Sequence, residues 1–458
     1  MNQVPNSNIM APAFTKRRSR CRRLAVGAAL SCLSVAPAAL AEVKIGEAKG
    51  WEVFTSGQVG AFVTYAHGDG YPNAVAPPGQ VDENGNPLSR TIVPGAGLVG
   101  YQIPQLDANG ENDPSQQSRV SQWRVRNGFS PNVLKFRLSK QMTVTVKLNA
   151  VMSLWSVIEP PGQQKHERIE TNFQEGYGQV ETPYGAVTVG RHVSLFSRGI
   201  VDMDVKYLHQ YAAGYNGHLE MAGPTAGLIN FGVLAAFFSP GIMYTSPRLA
   251  GFQLNVGLYD PVVMAGALWE ITRTPRPEFE ATWAYESAQI KAGTFVNGAI
   301  QKLYRGNDDT QSATALGLGF GGHFEYGPFH VGAGGHYGKG LGLAYALEAS
   351  PTTVGPAPLN ELRTFAGFSA FAQYSPGAFD INVGGGQSRV FELEVDKTGP
   401  ESRVNSLIKT QTAVAAAFVY HFSDRFHLDV DFLRAMFRWD KGEKQDVNFY
   451  STGATIQW

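Results

Sequence analysis

Cysteine is almost absent from this chain of 458 residues: the two that occur, Cys21 and Cys32, both lie near the N-terminus. Residues 42–458 therefore have no possible disulfide and no thiolate metal site. This part of the sequence also has no run of 18 apolar residues, which excludes a helical membrane span, and no convincing long amphipathic helix. The motifs H-E-x-x-H, C-x-x-C and G-x-S-x-G are missing, so we expect no enzyme, no cofactor and no metal centre.

The first 41 residues have the order of a secretory signal peptide. Six basic residues and no acidic one precede an apolar run at 24–35. Ala39 and Ala41 follow this run, just before Glu42. This order predicts cleavage after Ala41 and an exported domain of residues 42–458. An uncleaved membrane anchor fits less well, because the apolar run is too short to span a bilayer as a helix.

The charge that remains beyond residue 41 is mildly negative. Six of the 38 basic residues lie in the first 41 positions, so 32 basic side chains stand against 38 acidic ones in the rest of the chain. A net charge of about −6 argues mildly against a nucleic-acid partner.

Apolar and polar residues alternate in segment after segment. In 143–154, 251–259 and 379–383, apolar side chains occupy every second position and mostly polar ones the positions between. One apolar and one polar face are what an antiparallel sheet between two media requires. The two media could be a protein core and water, or lipid and a wet lumen.

Short links flanked by aromatic residues favour lipid. Five such links are found at 243–252, 283–290, 324–330, 373–379 and 420–426. Aromatic rings gathered beside tight turns predict a girdle at a membrane interface. The alternative is a set of ordinary hairpins with aromatic cross-strand pairs.

Short links alternate with long ones along the whole chain, which is typical of transmembrane β-barrels. The long links are predicted at 67–118, 158–170, 194–238, 260–277, 298–311, 339–361, 388–405 and 439–446. The strands are predicted at 51–66, 121–138, 141–157, 171–181, 186–193, 239–246, 251–259, 278–285, 289–297, 312–326, 328–338, 362–375, 378–387, 407–422, 425–438 and 447–458. The predicted fold is therefore all-β, a transmembrane antiparallel β-barrel of about 16 strands.

The last strand, "FYSTGATIQW", is expected to close the barrel against the first, because a closed barrel has no free edge. Its ending also resembles the C-terminal assembly signal of outer-membrane barrels. Ser451, Gly453, Ile456 and Trp458 match that spacing, with tryptophan in place of the usual final phenylalanine.

Two internal stretches resemble Gram-negative general porins. "GYGQVETPYGAVTVGRHVSLFSRGIVDMD" (176–204) is similar to the region before the third loop in that family, and "IMYTSPRLAGFQLNVGLY" (242–259) to the hairpin after it. The resemblance implies a homotrimeric outer-membrane channel for passive diffusion of small hydrophilic solutes and ions, with 194–238 folded inward. It also implies contacts with outer-membrane lipid and lipopolysaccharide, and with the barrel-assembly machinery during biogenesis.

A lumen of about sixteen strands is too wide for side chains to fill, so charged residues on its wall would set selectivity. The predicted constriction pairs Asp202 and Asp204, on one side of an extended segment, with a basic wall. That wall comprises Arg124, Arg126, Lys135, Arg137, Lys147 and Arg191. Arg or Lys facing mid-bilayer lipid would cost about 2–4 kcal/mol, which favours inward positions.

Several of these assignments have alternatives. The two aspartates could be solvated loop residues, and Arg124 and Arg126 could lie at the outer rim. Arg191 follows Gly190, which could break the alternation. The apolar stretch 226–238 could pack on the inner wall or lengthen the next strand.

Two other functions remain open. A solute-specific channel would use Tyr207, His209, Tyr211 and Tyr215 as a stacking track for sugars. A soluble secreted all-β binding protein would explain the alternation without a membrane.

Overall fold

The computed structural model describes residues 42–72, 91–92, 102–103, 105–110, 116–158, 171–217, 225–236, 238–261, 274–305, 308–340, 362–394 and 405–458. The signal peptide predicted at 1–41 lies outside these residues. Most residues of five predicted long links also lie outside the described ranges, namely the links at 67–118, 158–170, 260–277, 339–361 and 388–405. Within the described ranges, no helix is long and apolar enough to cross a membrane.

Strands make up nearly all of the regular structure. They are β1 (Val43–Ala48), β2 (Trp51–Asp69), β3 (Thr91–Ile92), β4 (Gln102–Ile103), β5 (Arg119–Arg126), β6 (Asn132–Gln141), β7 (Lys147–Ser156), β8 (Thr171–Thr182), β9 (Gly185–Val193), β10 (Phe238–Thr245), β11 (Phe252–Tyr259), β12 (Arg276–Glu286), β13 (Ile290–Arg305), β14 (Asp308–Tyr326), β15 (Phe329–Lys339), β16 (Thr364–Tyr374), β17 (Phe379–Val390), β18 (Asn405–Ser406), β19 (Ile408–Ser423), β20 (Phe426–Trp439) and β21 (Lys444–Gln457). Between β9 and β10 lie the helix α1 (Arg198–Asp204) and a π-helical turn, Val205–His209.

The strands close into one antiparallel barrel. Each pairs with its neighbour in sequence, and β2 pairs with β21 to complete the ring. The strands β5 and β6 lie end to end along β2, so together they form one stave. Leaving aside the short β1, β3, β4 and β18, the described part of the chain forms sixteen staves. This confirms the predicted all-β barrel of about 16 strands.

The alternation in sequence becomes an outward and an inward face. On β5, Trp123 and Val125 are exposed on the outside, at 67% and 56%, whereas Arg126 is 1% exposed on the inside. On β11, Leu254 and Leu258 point outward in the same way. Because exposed apolar side chains cover strand after strand, the outer surface suits lipid and not water.

Exposed aromatic rings lie beside the short turns, as predicted. They include Tyr244, Phe252, Tyr285, Tyr326, Phe329, Tyr374, Tyr420 and Phe422. Some are also cross-strand pairs, such as Phe329 with Tyr374, whose ring centroids are 4.8 Å apart. Some rings therefore belong both to the interfacial girdle and to cross-strand pairs.

The turn between β6 and β7 differs from the prediction. A strand was expected over 141–157, but β7 begins at Lys147 and residues 142–146 form the turn. The Thr143 side chain accepts hydrogen bonds from the backbone N–H groups of Thr145 (3.3 Å) and Val146 (3.1 Å). A threonine that bonds its own following backbone favours a turn over a strand, and the alternation alone could not show this.

Two predicted long links are much shorter than expected, because strands extend into them from both sides. Only residues 306–307 separate β13 from β14, where a link over 298–311 was expected, and only 440–443 separate β20 from β21. The first pair continues because Leu303, Ala313 and Ala315 pack together on the inner side, so burial extends the strands beyond the expected link.

Candidate functional site

The third-loop segment, of which residues 194–217 and 225–236 are described, folds into the barrel, as the resemblance implied. Its entry is fixed to β12 by Glu278, whose Oε2 accepts hydrogen bonds from the backbone N–H groups of Leu195 (2.7 Å) and Phe196 (2.9 Å). Arg276 Nε donates to Glu278 Oε1 at 2.8 Å, and both side chains are fully buried. This buried ion pair sets where the chain leaves the wall.

Helix α1 follows at once and is tied to the same strand. Arg198 forms a buried ion pair with Glu280, the next inward-facing residue of β12. Ile200 and Met203 are buried on the other side, near glycines of β15. Glycines on that strand leave room for the helix, because a Cβ at Gly332 would lie 3.0 Å from the Met203 sulfur.

The helix separates the two predicted constriction aspartates. An extended segment would place Asp202 and Asp204 on one side, but helical residues two apart are turned by about 200°. Asp202 is half-buried at the lumen, whereas Asp204 is completely buried. The prediction that both carboxylates line the pore is therefore wrong for Asp204.

Asp204 instead joins two parts of the third-loop segment. Its Oδ1 lies 2.6 Å from Nδ1 of His209, and its Oδ2 accepts a hydrogen bond from the backbone N–H of Leu228 at 2.7 Å. Gly227 gives the carboxylate room, because a Cβ there would lie 2.7 Å from Oδ2. This carboxylate therefore joins the outgoing helix to the returning chain, residues 225–236, as does the hydrogen bond from Ser197 Oγ to the carbonyl of Leu234.

Asp202 has a different environment. Burial raises its pKa to about 7, against the effect of the Arg198 guanidinium, and Glu280 raises it further. A carboxyl with this pKa changes charge near neutral pH. It is the one titratable group of the predicted acidic side that remains at the lumen.

The returning chain lies on the inner wall, which settles the alternatives for 226–238. Tyr215 and Phe231 pack against Phe437 of β20, with Phe231 and Phe437 centroids 5.6 Å apart. Asp431, also on β20, accepts hydrogen bonds from the N–H groups of Ala213 (3.0 Å) and Gly214 (3.1 Å). Residues 226–236 cover the wall, and of the described part of this stretch only Phe238 belongs to β10.

The basic residues of β5–β7 that were assigned to the wall face inward, as the alternation predicted. Arg124, Lys135, Arg137 and Lys147 are all partly accessible. Several have acidic neighbours: Lys135 lies 3.4 Å from Glu175, Lys147 lies 3.9 Å from Glu181, and Arg137 pairs with Glu42. Arg126 is buried and its Nη1 donates to the carbonyl of Asn216 at 3.0 Å, so it supports the third-loop segment rather than meeting solvent.

Arg191 faces outward, which corrects its assignment to the pore. Thr188 and His192 are buried on the inside, and no bulge interrupts β9, so Arg191 shares the outer face with Val189. Its Nε donates to the carbonyl of Gln174 at 3.1 Å. Gly190 adopts φ +129° but keeps the alternation.

The predicted sugar track is not accessible. Tyr207, His209 and Tyr215 are buried, and only Tyr211 keeps some exposure. Tyr207 donates its hydroxyl to Glu325 Oε1 at 2.7 Å, beside the Lys206–Glu325 ion pair. These residues hold the third-loop segment against the wall and offer no row of open rings.

The four residues of the proposed assembly signal lie in β21 and just beyond it. Ser451 is buried inside, and Ile456 is exposed outside. A Cβ at Gly453 would lie 2.3 Å from the Phe62 ring, so the glycine admits that ring. Trp458 exchanges two backbone hydrogen bonds of 3.0 Å with Gly57. A role in assembly stays a prediction.

Sequence reasoning missed the residues that hold the third-loop segment. These are Arg276, Glu278, Glu280, Glu325 and Asp431, all inward-facing charges on strands. The available signal was charge at inward positions of otherwise regular strands, where a buried charge needs a partner.

Comparisons with known proteins agree with this geometry. The sequence matches the profile of the Gram-negative porin family over residues 25–440. The outer-membrane channel DcaP of Acinetobacter baumannii is 12% identical, with a TM-score of 0.61 over 91% of this chain and 100% of that one. The anion-selective porin from Comamonas acidovorans is also 12% identical, with a TM-score of 0.54 over 89% and 100%. No curated protein sequence matches the chain significantly.

A closed sixteen-stave barrel with a lipid-facing exterior and a loop folded into its lumen defines a class of channel proteins. The chain belongs to the Gram-negative porin family. It is an outer-membrane channel for the diffusion of small solutes.

Proposed function

We propose that the chain works as a homotrimeric general-diffusion channel whose narrowest part lies between the third-loop segment and the inner wall of β5–β8. One observation carries this proposal. The described residues of the third-loop segment pack against the inner faces of β12, β14–β17, β19 and β20, whereas Arg124, Lys135, Arg137 and Lys147 on β5–β7 keep solvent contact. The water path therefore runs along the charged wall.

In this proposal an electric field crosses the pore, because its two sides carry charges of opposite sign. Arg124, Lys135, Arg137 and Lys147 supply positive charge on the wall, which Glu175, Glu42 and Glu181 partly offset, and Asp202 supplies negative charge on the third-loop segment. Such a field orients polar solutes and disfavours apolar ones, because charge and width at the narrowest ring set selectivity. The channel acts without catalysis.

The exposed apolar belt supports contacts with outer-membrane lipid, and contacts with lipopolysaccharide are part of the same proposal. Closure of β21 on β2 supports assembly by the barrel-assembly machinery after export and removal of residues 1–41. Small hydrophilic solutes are the proposed cargo. A sugar-specific track receives no support, because its rings are buried.

Recording of single channels in a planar bilayer under a KCl gradient tests the proposal. Stable open steps that close in three equal parts under voltage are expected for a trimer of open channels. Protein that is folded and inserted but carries no current would contradict the diffusion channel. Closure in a single step would contradict the trimer alone.

Arg124→Gln is expected to raise the permeability ratio of cations to anions about twofold, since a unit charge ~8 Å from a permeating ion contributes about 0.2 kcal/mol after screening by salt, with opposite sign for the cation and the anion. The reversal potential under the KCl gradient measures the ratio. Arg191→Gln is the matched control, because it removes the same charge from the outer face and should leave the ratio unchanged. Equal effects of the two variants would refute the wall assignment.

The selectivity should depend on pH through Asp202. Its carboxyl is neutral below its pKa of about 7 and charged above it, so raising the pH from about 5.5 to 8.5 adds one negative charge per pore. The wild-type channel should therefore become more cation-selective over this window. The Asp202→Asn channel should lack the part of this pH-dependent increase in cation selectivity that the Asp202 carboxyl causes. Identical pH profiles of the two proteins would show that Asp202 does not act on permeating ions.

A further inference from the structure

Two histidines face each other inside the barrel, at its short-turn end. His421 of β19 and His427 of β20 are direct partners in the strand register, and their Nδ1 atoms lie only 2.7 Å apart. Their rings are nearly perpendicular, at 83°. His421 keeps about a fifth of its side chain accessible, so water reaches this histidine pair.

The Asp380 carboxylate determines which nitrogen of the His421 ring carries the hydrogen. Asp380 Oδ2, on β17, lies 2.9 Å from Nε2 of His421, and Gln373 Nε2 lies 3.4 Å from the same oxygen. When His421 is neutral, its Nε2–H donates to Asp380 and its Nδ1 carries a free lone pair. Metal-binding histidines are oriented by this kind of carboxylate hydrogen bond on the far ring nitrogen.

A single proton then joins the histidine pair. With Nδ1 of His421 as acceptor, Nδ1 of His427 must donate, so one hydrogen lies between two nitrogens that both prefer to bind a cation. We propose that the histidine pair is a binding site for a divalent transition metal ion, with both Nδ1 atoms as ligands. Imidazole nitrogen suits Zn²⁺, Cu²⁺ and Ni²⁺. The ion takes the place of the shared proton, which is released.

The site would be a two-ligand one, completed by water. In the described part of the chain, no three histidine, cysteine or carboxylate side chains are arranged to hold a metal ion together. Water from the lumen can supply the other ligands through the accessible side of His421. This predicts exchangeable binding rather than a permanently held ion.

The surroundings favour a cation. Asp380 from β17 and Asp424 in the adjoining turn are the acidic groups that act on the histidine pair. Tyr211 from the third-loop segment covers it, with its ring stacked on His427 at 3.9 Å. Arg425, in the same turn as Asp424, is an exposed cation, whereas a second proton on the histidine pair would place two positive rings in contact.

The proposal is tested by titrating the folded, untagged protein in detergent with Zn²⁺ and measuring the heat of binding by calorimetry. One saturable equivalent per chain is expected, with tighter binding at pH 8 than at pH 5.5 because a proton is displaced. His421→Gln and His427→Gln should each abolish this equivalent. Asp380→Asn should weaken it about ten- to a hundredfold, as loss of an orienting carboxylate does at other sites.

His323→Gln is the matched control, because it removes an inward-facing imidazole at the same end of the barrel without touching the histidine pair. Circular dichroism and heat-modified mobility establish that each variant is folded. Cu²⁺ added to the wild type should show electron-spin coupling to two nitrogens, which a merely structural pair would not give. The proposal would be overturned if the wild type did not bind Zn²⁺, or if binding were unchanged in a variant that carries both His421→Gln and His427→Gln.

Discussion

Glu278→Ala is expected to destabilise the folded barrel by about 3–5 kcal/mol, the usual cost of removing one partner of a buried ion pair. The substitution leaves the Arg276 guanidinium buried without its carboxylate. It also removes the acceptor for the N–H groups of Leu195 and Phe196, where the third-loop segment begins. Denaturant unfolding in detergent measures the loss of stability, and limited proteolysis measures release of the segment.

The matched control for this variant lies on the same strand. Glu286→Ala removes an exposed carboxylate that is 3.1 Å from Lys291. Exposed ion pairs contribute about 0–1 kcal/mol, so this variant should unfold almost as the wild type does. If both variants lost the same stability, or if Glu278→Ala left the segment protected from protease, the anchoring role of Glu278 would be wrong.

Gly232→Ala is expected to detach the returning part of the third-loop segment and widen the pore. Gly232 has φ +88°, and a Cβ there would lie 2.1 Å from the backbone oxygen of Phe368. The left-handed conformation costs another residue about 1–2 kcal/mol, and the overlap with a wall strand adds to it. The hydrogen bond from the Gly232 N–H to Ser388 Oγ (2.9 Å) would also be lost.

Single-channel conductance is the decisive measurement for this variant, and a clear increase over the wild type is expected. Gly178→Ala is the control, since a Cβ at that position of β8 meets nothing within 4 Å. It should leave both conductance and melting temperature unchanged. A Gly232→Ala channel with wild-type conductance would mean that 225–236 does not limit the pore.

The sheet was predictable because a strand has a period of two and each of its faces meets a different medium. The predicted strand at 251–259 and the observed β11, Phe252–Tyr259, differ by one residue. The same alternation correctly placed Arg124 and Lys135 on the inner side. It failed at 141–146, where a side-chain hydrogen bond of Thr143 makes a turn from residues that alternate like a strand.

The third-loop segment was less predictable, since its conformation depends on partners that are distant in sequence. Asp202 and Asp204 were expected on one side because an extended chain was assumed, but packing of Ile200 and Met203 against the wall favours a helix there. Resemblance to a known family supplied only the inward direction of the segment. It carried no information on which wall residues would bind it.

The sequence by itself determined the alternation, the aromatic residues beside the short turns and hence a closed barrel, because each is a local pattern that neighbouring residues express directly. Only the tertiary structure decided the course of the loop inside the lumen. Phe196 meets Glu278 across 82 positions, and Ala213 meets Asp431 across 218. A buried charge must find a partner to offset its desolvation, but its own sequence neighbourhood does not say which segment will supply that partner.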